Sequence, residues 1–241
     1  MTKEKQTDQS IAVVPAQSAA VAHYDPSAFD LAENMEGVEP RLPEIKIISA
    51  AAIFETPDGE NPKEIAGVIV ATSRVNAWWA KDMDEAGAGT PPDCYSKNGI
   101  IPHGEHREHH QCATCPQNKF GSDGRGKACK NTRRLSILIG DDLLPNIIKL
   151  SATSLKTWDV YMVGLMNQKR HFATVLTTVT LAKKQNKDGI TYSEAVFKMT
   201  GTVPNEDLGK IADLRKFCAE KLDQEPVDTI PDEHAGQPDP Y

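Results

Sequence analysis

The sequence predicts a mainly β fold of the α+β class: five strands, a helix between the third and fourth, and a helix near the C-terminus. Three observations carry this. Val, Ile and Thr recur with a period of two in several short segments, the mark of half-buried strands. Leu155, Trp158, Met162, Leu165 and Met166 instead repeat at helical spacing. Residues 80–130 follow neither period and are rich in Gly, Pro, His and Cys. A bare loop of that length inside a compact domain is improbable, so the region needs a core of its own.

Each element follows in order. Residues 1–43 are Ala-, Gln- and Glu-rich with few large apolar groups, which reads as a flexible N-terminal arm. From Glu44, EIKIISAAAIF reads as a strand, TPDGENP as a turn and EIAGVIVATSRV as a second strand. After the insertion at 80–130, RRLSILIG places Leu135, Ile137 and Ile139 on one face of a third strand. NIIKLSA is a further short extended piece. Ser154 is placed to cap the helix that follows. HFATVLTTVTLAKK and ITYSEAVFKMTG read as strands joined by a hairpin turn at Asn186-Lys187-Asp188-Gly189. Pro204 opens a last helix over 204–222, and 223–241 reads as a disordered acidic tail. Strand, strand, insertion, strand, helix, strand, strand is the order of an OB-fold barrel over 44–203, with the insertion between strands 2 and 3. The faces and loops of such barrels bind oligonucleotides.

Four cysteines supply the core that the insertion needs. They read Cys94-x17-Cys112-x2-Cys115-x13-Cys129. The CATCP half sets two thiols one short turn apart, and the outer two can complete a tetrahedron. Four soft thiolates at that spacing point to one structural zinc ion. His103, His106, His109 and His110 stand close by, and any of them could replace Cys94 as fourth ligand. The chain has five cysteines and its first ten residues carry no apolar stretch, so the expected compartment is a reducing cytoplasm. No run of about 18 apolar residues is present, so no membrane span is expected. Cys218 shares a helical stripe with Leu208, Ile211 and Leu214 and is expected in the core.

The formal charge of −7 conceals an uneven distribution. Residues 1–43 carry seven acids and three bases, and residues 220–241 carry seven acids and one base. The part between is mildly basic. Lys119, Arg125, Lys127, Lys130, Arg133 and Arg134 crowd into sixteen residues opposed only by Asp123. Such a run suits phosphates.

With these residues in view, the chain resembles the phage single-stranded DNA-binding proteins of the T-even helix-destabilising type. That resemblance covers roughly 44–203 by architecture, and the segments Cys94-Tyr-Ser, Cys112-Ala-Thr-Cys115-Pro-Gln-Asn-Lys-Phe120-Gly-Ser and Gly126-Lys-Ala-Cys129-Lys also look like uncharacterised phage and prophage proteins associated with replication modules. The resemblance implies an OB-fold with an inserted zinc subdomain and an acidic tail that recruits replication or recombination proteins. It implies a non-enzymatic protein that coats unwound DNA during phage-type replication or recombination, in the bacterial host cytoplasm if phage-encoded. Two departures stand out. That family's zinc has one histidine and three cysteines as ligands, and its N-terminus is basic, whereas residues 1–43 here are acidic.

Single-strand binding needs cations along the phosphates and aromatic faces for unpaired bases. Arg74, Lys119, Arg125, Lys127, Lys130, Arg133 and Arg134 are the candidate cations. Trp78, Trp79, Tyr95, Phe120 and Tyr192 are the candidate faces. Trp78 and Trp79 are adjacent and, if extended, point to opposite sides. Trp158 and Phe197 are expected in the core. Two other readings compete: a zinc-dependent nuclease using the His103–His110 cluster, and a zinc-ribbon adaptor for protein or RNA.

Overall fold

The computed structural model describes residues 36–38, 41–81, 85, 87, 89–104, 111–124, 126–140, 142–185, 189 and 191–228. Those from 41 onward belong to one compact unit. The proposed arm up to residue 35 and the tail beyond 228 lie outside the described residues, as do His106, His109, His110 and Arg125.

The predicted first strand divides in two. β1 (Glu44–Ile48) and β2 (Ile53–Glu55) pair antiparallel about a turn in which Ala52 takes a left-handed φ of 57°. The predicted turn after β2 forms around Gly59, whose N–H donates to Thr56 O at 2.9 Å. β3 (Glu64–Trp78) then runs for 15 residues, longer than its period-two pattern suggested. It serves two neighbours in succession. Glu64–Gly67 pair with β8 (Val175–Gln185), and Val68–Ala77 pair with β6 (Lys130–Leu138).

Gly67 sits where β3 passes from one partner to the other. A Cβ built there would lie 2.3 Å from Leu138 O and 2.8 Å from Ile137 Cγ1. Both belong to the packed strand β6, so neither can swing aside. Gly67→Ala is expected to cost about 2–3 kcal/mol by overpacking. Thermal unfolding checks it, and an unchanged midpoint would show that the two strands separate freely here.

The insertion contributes two short strands, β4 (Cys94–Ser96) and β5 (His103–Gly104). NIIKL, expected as a short extended piece, is β7 (Asn146–Leu150), a full antiparallel partner of β6. β7 also pairs in parallel with β1, which makes the sheet mixed. Helix α1 (Leu155–Asn167) leads to β8, which pairs with β9 (Thr191–Thr202). Helix α2 (Leu208–Gln224) follows a short 3-10 turn. The described pairings run β2-β1-β7-β6-β3-β4-β5, with β8 joined to β3 and β9 to β8. Among the described residues no ladder joins β9 back to β7, so the sheet is not closed by strand pairing. Among the described residues the fold is therefore mainly β, with one mixed sheet and two helices.

Both faces of the β3-β6-β7 sheet are buried. On one, Ile69, Leu135, Ile137, Ile148 and Leu150 pack with Trp158 of α1. Trp158 is 2% exposed, and Phe197 meets its ring edge-on at 5.4 Å, so both take the core places expected of them. On the other face, Val70, Ala71, Leu138 and Ile147 pack under Ile211, Cys218 and Leu222 of α2. Burial pushes the Cys218 thiol up to about 11, as suits an unreactive core cysteine.

Ser154 is placed as predicted before α1, but its hydroxyl does not cap the helix. It accepts instead from Ala195 N–H at 2.9 Å, and Thr157 Oγ1 donates to Ala195 O at 2.6 Å. The start of α1 is thereby tied to β9. Among the described residues no helix is long and apolar enough to cross a membrane.

Candidate metal centre and nucleic-acid interface

The four cysteines of the insertion come together. Cys94 opens β4 opposite Trp78, and Cys129 precedes β6 with its N–H donating to Gln117 O at 2.8 Å. Cys112 and Cys115 lie on a tight knuckle, closed where Asn118 Nδ2 donates to Cys112 O at 2.8 Å. All four thiols are free of disulfides and line a cavity of about 140 Å³, with Trp78 and Tyr95 among its walls. Cys112 and Cys129 are buried. Burial, and then the mutual repulsion of Cys115, Cys112 and Cys94 thiolates, pushes Cys129 up to about 12. Burial and the nearby Cys115 and Cys112 likewise raise Cys94.

Among the described residues no three His, Cys, Asp or Glu side chains already form a metal-holding group. The donor set nevertheless suits a soft divalent cation: four thiols facing one small cavity, with no carboxylate among its lining residues. The described candidate histidine, His103, is exposed and stacks on Tyr95 at 5.4 Å outside that cavity. Cys94 is therefore the better fourth donor of the two.

A polar cleft of about 300 Å³ adjoins the knuckle, between the ends of β3 and β6 and the start of α1. Arg74, Lys127 and Arg133 line it, so three of the predicted cations share one site. The register sets Arg74 of β3 directly opposite Arg133 of β6. Like charges facing across a ladder repel. Burial lowers the Arg133 pKa, Arg74 lowers it further, and Asp159 acts against both. Thr72 Oγ1 accepts from Arg133 Nη1 at 3.1 Å, and the guanidinium lies 5.4 Å above the Trp158 ring. Trp158 is thus a core residue that also orients a cation. Lys127 Nζ donates to Asn118 Oδ1 at 3.2 Å, which couples the cleft to the cysteine knuckle.

The remaining candidates are more scattered. Lys119 and Phe120 are exposed on the insertion loop and Lys130 at the start of β6, and Phe120 reaches 82% exposure. Lys130 pairs with Asp123 at 3.5 Å. Trp78 borders the cysteine cavity, whereas Trp79 is half-buried with its Nε1 donating to Thr90 O at 3.1 Å. Tyr95 is half-buried against His103. Tyr192 lies on β9 opposite Lys184 and is not among the residues lining the cleft.

Arg134 is not brought into this group. Alternation turns it to the face opposite Arg133, where it is 1% exposed. Its guanidinium donates to Glu225 O at 3.3 Å and to Pro226 O. Burial lowers its pKa, and Asp228, Glu225 and Glu44 act against that. Lys149 bridges Glu44 and Asp228 at 2.8 Å each. Burial opposes its charge most, but the hydrogen bonds and charge attraction of Asp228 and Glu44 together outweigh it and raise its pKa. Arg134 thus fastens residues 225–228 to the sheet. Arg134→Ala is expected to cost about 3 kcal/mol by stripping charged donors from these carbonyls. At this size that is a midpoint lower by roughly 6–12 °C. Calorimetry decides it, and an unmoved midpoint would mean that the strap adds nothing.

Sequence reasoning missed Asn76 and Asn131, which also line the cleft and are cross-strand partners. Their only signal was a position two residues from Arg74 and Arg133. Comparison of the chain with protein-family models, curated proteins and solved structures finds no match.

Proposed function

We propose that the protein is a non-enzymatic single-stranded DNA-binding protein on an OB-type scaffold, with one structural zinc ion held by Cys94, Cys112, Cys115 and Cys129. The observation that carries this reading is the cleft in which Arg74 and Arg133 face each other beside Lys127. Asp159 also lines the cleft, but three cations against one carboxylate leave it positive, and a phosphate between the two guanidiniums turns their repulsion into shared attraction. Exposed Lys119 and Lys130 extend the positive track, and Phe120 offers a face on which an unpaired base can stack. A duplex hides its base faces, so the site favours single strands.

The topology supports the scaffold. Counted from β3, the elements run β3, β6, β7, α1, β8, β9, which is five strands with a helix between the third and fourth. β1 occupies the free edge of β7, and Ser193 of β9 hydrogen-bonds to Ser49 just beyond β1, at 2.7 Å from its Oγ to Ser49 O. β1 and its turn thus stand in the gap that direct closure would fill. On this count the zinc insertion follows the first strand of the barrel, because EIKIISAAAIF precedes the barrel. Zinc would hold the knuckle that positions Asn118 and Lys127, as a structural ion with no part in any reaction. The acidic tail would recruit replication or recombination proteins, the role that the family resemblance implies.

The test is tryptophan fluorescence during titration with a single-stranded oligonucleotide and with its duplex, at low and moderate salt, with zinc measured on the same sample. Salt-sensitive quenching by the single strand, little response to the duplex and about one zinc per chain are expected. One zinc with no response to either DNA would overturn this function and favour the protein or RNA adaptor.

A further inference from the structure

The cleft does more than a phosphate track requires. Its polar lining includes three cations, Arg74, Arg133 and Lys127, three amides, Asn76, Asn131 and Asn118, and the carboxylate of Asp159. The register places the Asn76–Asn131 pair two residues along both strands from the Arg74–Arg133 pair. That separation is about 7 Å on one face of a sheet, the scale between a phosphate and its own base. The cleft, at about 300 Å³, is at the small end of ligand pockets, sized for one nucleotide rather than for a strand.

The amides are arranged to read an edge. Asn131 Nδ2 donates to Asn76 Oδ1 at 2.7 Å. The pair therefore keeps the Asn131 carbonyl as an acceptor and three amide N–H donors, two on Asn76 and one on Asn131, for other groups. Every nucleobase offers a donor beside an acceptor along its pairing edge. Asn76 is largely buried and lines the cleft, so a ligand there can reach its amide. Asn118 is already committed, to Cys112 O and Lys127 Nζ, so it ties the subsite to the cysteine knuckle and takes no base itself.

We infer that this cleft is a single-nucleotide subsite, in which Arg74 and Arg133 grip one phosphate and the Asn76–Asn131 amide pair hydrogen-bonds the edge of the attached base. The inference rests on the proposed single-strand binding and adds a base-reading position to it. Backbone contacts along the basic loop touch no base, and this one position does.

A two-by-two comparison tests it. Wild type and Asn131→Ala are titrated with single-stranded oligonucleotides and with a fully abasic deoxyribose-phosphate oligomer of equal length and charge. Asn131→Ala is expected to weaken the base-bearing strands about tenfold, in line with one side chain–base pair, and to leave the abasic oligomer unchanged. Arg74→Ala weakens both alike. Equal effects of Asn131→Ala on both probes, or none, overturn the subsite while leaving single-strand binding intact. Binding of neither probe by wild type overturns the underlying function and the subsite with it. A measurement on wild type alone guards against a misfolded variant. Millimolar deoxynucleoside 5′-monophosphate is expected to shift the side-chain amide NMR signals of Asn76 and Asn131, and deoxyribose 5-phosphate to leave them in place. Identical shifts with both would also overturn the subsite.

Discussion

Cys112→Ser is expected to release the zinc ion and to lower both stability and DNA affinity. Cys112 is buried on the knuckle, and its carbonyl anchors Asn118. A serine hydroxyl is a hard, poorly ionised donor and does not replace a thiolate on zinc. Structural zinc supplies about 10–16 kcal/mol in isolated finger peptides. Here the strands carry a core of their own, so the expected loss is smaller, about 3–4 kcal/mol, or a midpoint lower by roughly 6–16 °C. Without the ion, Asn118 and Lys127 lose their fixed place at the cleft, and single-strand affinity falls about tenfold. Metal analysis and calorimetry on the same preparation decide the matter. Full zinc content in the variant would remove Cys112 from the ligand set.

Arg74→Ala combined with Arg133→Ala is expected to weaken single-strand binding about 100-fold at low salt. Each lost phosphate contact flattens the plot of log affinity against log salt by about 0.7, so the slope drops by roughly 1.4. Stability should change little, because relief of a like-charge pair across β3 and β6 offsets the lost contacts of Arg133 with Thr72 and Trp158. Titration at several salt concentrations, with thermal unfolding alongside, checks both halves. An unaltered slope would place the phosphate track elsewhere. The contrast with Arg134 is informative. Arg133 and Arg134 are neighbours in sequence, yet one variant should change the salt slope and the other the melting point.

Local information accounts for what could be read from the chain alone. The period-two runs, the turn at TPDGENP, the helical stripe around Trp158 and the C-terminal helix all reappear in the fold. Each depends on the chemistry of a few adjacent residues. Cysteine spacing was enough to group Cys94, Cys112, Cys115 and Cys129, which line one cavity. The sequence groups Arg133 and Arg134 as candidate cations, although alternation on a strand sends adjacent side chains to opposite faces.

Tertiary structure decided the rest. Division of EIKIISAAAIF into β1 and β2 depends on a turn made by alanines, which carry no turn signal. The importance of β7 depends on its pairing with β6 and β1, both remote in sequence. Ser154 was legible as a helix start, but its hydroxyl is claimed by β9, 41 residues away. Register alone sets Arg74 against Arg133 and Asn76 against Asn131, and a slip by one residue would turn each strand over. The packing of α2 and of residues 225–228 then makes Arg134 a buried fastening, while Arg133 is left lining the cleft. The sequence determined which residues could carry charge, bind metal or stack. Which of them meet was settled by pairings between distant segments, because no local pattern encodes the partner of a strand or the element that covers its face.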